Sequence, residues 1–66
     1  MIEVNFYNET EHIATILMWQ KVDIGDTIIT NDTLYEVTKV NTLSIKYNKE
    51  FNKSHIEQMV YVKIIF

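Results

Sequence analysis

The sequence predicts an all-β domain, a small five-stranded barrel with one short helical or 3₁₀ turn before its last strand. Apolar residues recur at every second position in several segments, which is the period of a half-buried strand. Short runs of Asn, Asp, Gly and Thr separate these segments and are typical of turns. The alternation slips at Val40, which predicts a bulge near Thr38 or Lys39, and bent strands close small barrels.

The first two strands are predicted as a hairpin. Residues 2–6 alternate between apolar and polar side chains, and the polar residues 8–11 follow as a turn. The return strand, residues 12–19, is apolar on both faces. Either this strand is buried on both sides in the centre of the sheet, or part of one face contacts a partner, because so small a protein has little room to cover both.

The only glycine lies in the next turn. Gly25 stands between Asp23 and Asp26, and a residue free to adopt positive φ lets the chain turn into a strand at 27–30. Asn31 and Asp32 fit a two-residue hairpin loop, because Asn and Asp tolerate the left-handed conformation. The next strand is predicted at 33–40.

The end of the chain combines a strand, a helical turn and a last strand. Residues 43–47 alternate and predict a strand segment paired with its predecessor. Residues 54–57, Ser-His-Ile-Glu, match a capping box, which predicts the short helical turn. Residues 59–66 form the last strand, and both of its faces are apolar.

Composition limits the classes of protein that fit. Sixty-six residues make one domain spanning residues 1–66, and a net charge of −3 with 47% hydrophobic residues indicates a globular chain without a membrane partner. There is no cysteine, no transmembrane-length apolar run and no signal-peptide pattern, so we expect a cytoplasmic protein. Abundant residues with AT-rich codons and no arginine suggest a phage or bacterial genome.

A resemblance sharpens the fold prediction. Residues 24–28, Ile-Gly-Asp-Thr-Ile, followed by Tyr35-x-Val37-x-x-Val40, resemble the core signature of small SH3-like β-barrels, including short phage-encoded and uncharacterised bacterial modules. The resemblance covers about a quarter of the chain. Nucleic-acid-binding KOW-type barrels carry further glycines after the turn, and this chain has none. The resemblance implies an SH3-like barrel that binds through its loops and an edge and seldom catalyses a reaction.

No catalytic or metal-binding pattern outweighs a simpler explanation. Ser54, His55 and Glu57 are the residue types of a nucleophilic triad, but neighbours in a helix point in different directions, so capping explains them better. Glu11, His12 and His55 could hold a metal only if the fold brought them together, and solvated side chains are the simpler account. We therefore expect no enzyme activity, no cofactor and no metal.

The preferred hypothesis is a non-enzymatic protein-binding module that could also self-associate as a homodimer. Aromatic and apolar residues on strand faces that the core does not need are typical interface anchors. The first 36 residues carry seven acidic side chains against one lysine, which could steer a basic partner. Asp23, Asp26 and Asp32 lack the ligand spacing of a calcium loop and belong to turns. The predicted interface residues are Leu17, Trp19, Tyr61, Glu9, Glu11, Asp23 and Asp26.

The alternative hypothesis is a sequence-tolerant nucleic-acid binder. Residues 37–66 carry five lysines against two glutamates, and lysines beside aromatic rings can bind phosphates and stacked bases. A solvated strand face explains the same pattern. The residues of this alternative face are Lys39, Lys46, Tyr47, Lys49 and Lys53.

Overall fold

The computed structural model describes residues 1–41, 43–50 and 52–65, and these form a single mixed β-sheet that curls into a half-barrel. The strand order is β2-β1-β6-β4-β3, and β5 also pairs with β6. β1 and β6 are parallel, and every other pair is antiparallel. The strands are β1 (Ile2–Asn8), β2 (Glu11–Met18), β3 (Thr27–Thr30), β4 (Thr33–Val40), β5 (Ser44–Asn48) and β6 (Lys53–Ile64).

The prediction of an all-β chain is confirmed, but two of its details are wrong. There are six strands rather than the five of the predicted barrel, one for each of the six segments with a strand pattern, and no helical turn occurs in the described residues. Ser54 and Glu57, the two ends of the predicted capping box, lie inside β6, which begins at Lys53 rather than Met59. Ser54 pairs with β5, and Glu57 pairs with β5 on one side and β1 on the other. These backbone ladders outweigh a local capping preference. Phe66, the predicted end of the last strand, lies outside the described residues.

The partner of β5 was also predicted wrongly. β5 pairs with β6 and not with β4. β6 is 12 residues long, so β5 lies beside residues 53–57 and β4 beside residues 60–64 on the same edge. The Asn41 N–H donates to the Met59 carbonyl oxygen over 3.0 Å, and this bond keeps the chain against β6 between the two strands.

The predicted turns and bulge are confirmed. Asn31 and Asp32 have φ of 52° and 61°, and they join Thr30 to Thr33 as a two-residue loop. Gly25 has φ of 94°, which favours glycine. The register of β4 against β6 shifts between Val37 and Lys39, where the phase break placed the bulge. Local turn chemistry therefore sets the connections of this half of the sheet.

The core lies on one face of the sheet, the inner face, which carries Val4, Phe6, Val60 and Val62. The opposite face is called the outer face. The segment between β2 and β3 crosses to β4, where Gly25 and Asp26 exchange backbone hydrogen bonds of 2.9 and 2.8 Å with Val37. The core is completed by Val22 from this segment and by Tyr35 and Val37 from β4.

A buried glutamine attaches the crossing segment to the sheet. Gln58 is 1% exposed on the inner face of β6. Its Oε1 accepts from the Val22 N–H over 2.9 Å, and its Nε2 donates to the Val22 carbonyl oxygen over 3.0 Å. One amide therefore satisfies both backbone groups of Val22, which a buried segment outside the ladders needs.

The described part of the chain is elongated. It measures 41 × 21 × 20 Å, and its radius of gyration is 12.5 Å, against roughly 11 Å for a compact domain of this length. β5 and the first residues of β6 extend beyond the pairing with β1 and β4, because residues 53–55 pair with β5 alone. No helix long and apolar enough to cross a membrane occurs in the described ranges.

Candidate interaction surfaces

β2 forms one open edge of the sheet. It pairs with β1 and with no other described strand, so backbone N–H and C=O groups along its other side have no partner strand. Leu17 is 64% exposed on the outer face, and Trp19, just beyond the strand end, is 81% exposed. Ile16 is also exposed, on the inner face. This edge therefore combines free backbone groups with large apolar side chains.

A bulge explains why both faces of this segment are apolar. The register of β1 against β2 shifts between Phe6, opposite Ala14, and Tyr7, opposite His12. Ile13 is the extra residue, and it packs with Ala14 against the core. Of the three apolar residues of the second face, Ile13, Leu17 and Trp19, only Ile13 is thus absorbed by the core, and Leu17 and Trp19 remain for solvent or a partner.

The outer face carries a row of rings across three strands, β2, β1 and β6, with a lysine beside it on β4. The His12 and Tyr7 rings meet edge to face with centroids 5.3 Å apart, and Tyr7 lies 5.8 Å from Tyr61. Lys39 Nζ lies 5.7 Å from the centre of the Tyr61 ring, a cation–π distance. His12 Nε2 also lies 2.8 Å from Thr15 Oγ1, which donates to Asn5 Oδ1 over 2.6 Å. Tyr61 is therefore packed between the Tyr7 ring and the Lys39 ammonium group.

The predicted interface residues occupy separate places. Leu17 is level with Glu3 and Tyr61 with Tyr7, so these two outer-face positions are about 13 Å apart along β1. Glu9 and Glu11 lie at the turn between β1 and β2, where β2 begins, whereas Trp19 follows the last residue of β2. A single partner would have to run the length of β2 to contact both groups.

Asp23 and Asp26 serve the turn around Gly25. Asp26 Oδ2 accepts from the Asp23 N–H over 3.0 Å, and the Asp26 N–H donates to the Asp23 carbonyl oxygen over 3.2 Å. The turn lies against β4, and β1 and β6 separate β4 from β2 in the strand order. This geometry matches the prediction that turn chemistry explains these residues.

The lysines of the alternative face are spread along the molecule. Lys39 lies beside Tyr61, whereas Lys46 is opposite His55, six residues earlier on β6 and about 20 Å away along the strand. Tyr47 alternates to the other face from Lys46 and hydrogen-bonds to Asn52. Lys49 lies in the turn that follows β5, and Lys53 begins β6. No compact basic platform results from this arrangement of the described residues.

A cluster of ionisable side chains lies on the outer face where β1 meets β6. Glu3 and Glu57 are directly opposite in the parallel pair, and His55 precedes Glu57 by two residues. His55 Nε2 lies 3.6 Å from Glu3 Oε2 and 3.6 Å from Glu57 Oε2. One donor atom from each residue lies within 4.8 Å of the other two, which makes this a possible metal site among the described residues.

The cluster differs from the sets that the sequence suggested. Ser54 alternates to the face opposite His55, so the nucleophilic triad is not assembled. His12 lies in the tyrosine row, level with Tyr61 and so about six residues along β6 from His55, and the predicted metal set of Glu11, His12 and His55 does not meet either. Glu3 and Tyr7 were missed because Glu57 and Tyr61, which lie opposite them on β6, are more than 50 residues away in the sequence. The only sequence signal for these two residues was the alternation of β1, which predicts that Glu3 and Tyr7 lie on the same face of the strand.

A groove on the inner face adjoins Gln58. Its volume is about 270 Å³, and Lys21, Asp23, Val40, Asn41 and Leu43 form its walls with Val22. It lies between the crossing segment and the gap between β4 and β5. The Val22 backbone, which Gln58 binds, is therefore close to solvent on one side.

Comparison of the chain with protein-family models, with curated proteins and with solved structures finds no match. The small all-β half-barrel is compatible with an SH3-like module.

Proposed function

We propose that this chain is a non-enzymatic protein-binding module of the SH3-like type, which binds an extended segment of another protein along β2. The observation that carries the proposal is the open edge of β2 with its exposed Leu17 and Trp19. An extended segment can add a strand there, so that main-chain hydrogen bonds supply affinity and side-chain contacts supply specificity. A phage or bacterial source and a cytoplasmic location are part of the same proposal.

The other open edges are less suited to strand addition. β3 has four residues, and short edges offer few hydrogen bonds. β5 carries Lys46 and is followed by Lys49, and lysines protect edges from further pairing. β2 has eight residues and contains neither lysine nor proline. Among the described strands, it therefore has the length and the composition that pairing with another chain requires.

Charge favours a partner segment with a basic end. Glu9 and Glu11 lie at the start of β2, and Leu17 and Trp19 lie at its other end. A segment with apolar residues at one end and lysine or arginine at the other would match both ends of β2. The tryptophan is the expected anchor, because a large rigid ring buries much area at a small entropic cost.

The test uses peptides selected from a displayed random library on the wild-type chain, with affinity measured by anisotropy of the labelled peptide. Leu17→Lys and Trp19→Ala should each weaken binding at least about tenfold. Ile29→Lys is the matched control, because Ile29 is 75% exposed on the edge strand β3, and its affinity should stay within about twofold of wild type. An affinity unchanged by the two β2 substitutions together would show that β2 is not the binding edge.

Sedimentation equilibrium over a range of concentrations tests whether a second copy is the partner. A dimer that Leu17→Lys dissociates and Ile29→Lys preserves would identify self-association through β2. A chain that stays monomeric and selects no peptide would contradict the proposed function.

A further inference from the structure

From the outer-face cluster we infer that Glu3, His55 and Glu57 form a binding site for one divalent transition-metal ion, best matched by Zn²⁺. Its three donor residues come from β1 and β6 rather than from β2, and Leu17 on β2 lies opposite Glu3 on the same face. The site joins β1 to β6, the parallel pair formed by the first and the last strand in chain order. The three side chains are partly exposed, so an ion can reach them from solvent without a change of fold.

The spacing of the donor atoms suits tetrahedral coordination. Zn²⁺ binds imidazole nitrogen and carboxylate oxygen at about 2.0 to 2.2 Å, which places neighbouring donors of a tetrahedron about 3.3 to 3.6 Å apart. His55 Nε2 is 3.6 Å from an oxygen of each glutamate. The longest separation in the set is at most 4.8 Å, and rotation of one flexible glutamate side chain closes the remaining ångström.

Electrostatics favours a cation between the two carboxylates. Glu3 and Glu57 are opposite each other in register, and like charges in that position repel. A divalent ion cancels both charges, whereas an imidazolium supplies one positive charge. Lys46, opposite His55 on β5, is the nearest lysine in register, and its positive charge lowers the affinity of the site for any cation.

The donor set selects the class of metal. An imidazole with two carboxylates suits zinc, cobalt and nickel, whereas calcium takes six to eight oxygen ligands and magnesium keeps most of its water. Three protein ligands leave the fourth tetrahedral position to water or to a group from another molecule. We expect a Kd on the order of a micromolar, weaker than that of structural zinc sites with four ligands.

The experiment titrates the full, tag-free chain with Zn²⁺ near neutral pH by isothermal calorimetry. One ion per chain is expected. His55→Ala and Glu57→Gln should each weaken binding at least about 100-fold, because even residues behind a ligand cost ten- to a hundredfold. His12→Ala is the matched control, since His12 is the other histidine and lies in the tyrosine row. Its affinity should equal that of wild type.

Three results would overturn the inference. They are no binding to the wild type, unchanged binding in His55→Ala, or equal losses in His12→Ala and His55→Ala, which would indicate that zinc binds to surface histidines in general. A second measurement needs no variant. Co²⁺, which takes the same ligands, should broaden the amide NMR signals of Glu3, His55 and Glu57 before those of His12 and Thr15. The reverse order would also reject the site.

Discussion

The amide of Gln58 gives the sharpest test of how the half-barrel is held together. Gln58→Leu keeps most of the side-chain volume but removes both hydrogen bonds to Val22, of 2.9 and 3.0 Å. The Val22 N–H and C=O would then be left without partners in a buried position, and each such group costs about 1 to 3 kcal/mol. Water entering the adjoining groove would rehydrate one of them, so we expect a net loss of about 2 to 4 kcal/mol.

That loss is large for so short a chain. A domain of 66 residues has a total unfolding free energy of roughly 3 to 10 kcal/mol. Urea denaturation followed by far-UV circular dichroism measures the change in unfolding free energy. Gln20→Leu is the control, because Gln20 is exposed beside the same segment, and its stability should stay within about 0.5 kcal/mol of wild type.

Hydrogen exchange adds a local measurement. The Val22 amide should exchange faster with solvent in Gln58→Leu than in wild type, whereas the amides of β6 should keep their protection from exchange. If the unfolding free energy of Gln58→Leu stays within about 0.5 kcal/mol of the wild-type value, the two hydrogen bonds do not hold the crossing segment, and apolar packing of Val22 alone keeps it in place.

Three further predictions use other features. Gly25→Ala should lower the free energy of unfolding in urea by about 1 to 2 kcal/mol. The cost comes from the φ of 94° alone, because a Cβ at this position meets no atom within 4 Å. An unchanged free energy of unfolding would show that this φ causes no backbone strain. Lys46→Ala should tighten Zn²⁺ binding in calorimetry about threefold or more by removing a nearby positive charge, and weaker binding would contradict the electrostatic argument. A labelled single-stranded oligonucleotide should show no anisotropy change with the wild-type chain at about 50 mM salt, since the lysines are dispersed; tight binding that fades at about 200 mM would favour the nucleic-acid alternative.

The sequence was most informative where structure depends on neighbouring residues. The Asn31-Asp32 loop, the turn at Gly25 and the bulge after Val37 were predicted because each follows from backbone preferences within a few positions. The same local argument failed for Ser54 and Glu57, where a capping pattern lies inside a strand. Their conformation is decided by pairing with β1 and β5, which no local pattern encodes.

The candidate sites also divide into one that a local sequence pattern identifies and one that depends on strand pairing. Leu17 and Trp19 were identified from apolar residues in excess of what one core can bury, and both are exposed. The Glu3, His55 and Glu57 cluster was missed, because it depends on the parallel register of two strands from opposite ends of the sequence. Glu3 on its own is an ordinary strand residue, and only the register makes it a neighbour of His55.

The central position of β6 also has a consequence for biosynthesis. Among the described strands, three of the five pairings include β6, and the other two are the hairpins β1–β2 and β3–β4. Isolated two-stranded hairpins are marginal in water, so a nascent chain on the ribosome has no stable sheet until β6 has emerged. Until then the apolar inner face and several strand edges stay open to other chains. The half-barrel can therefore form a stable sheet only after β6 has been synthesised and has left the ribosome.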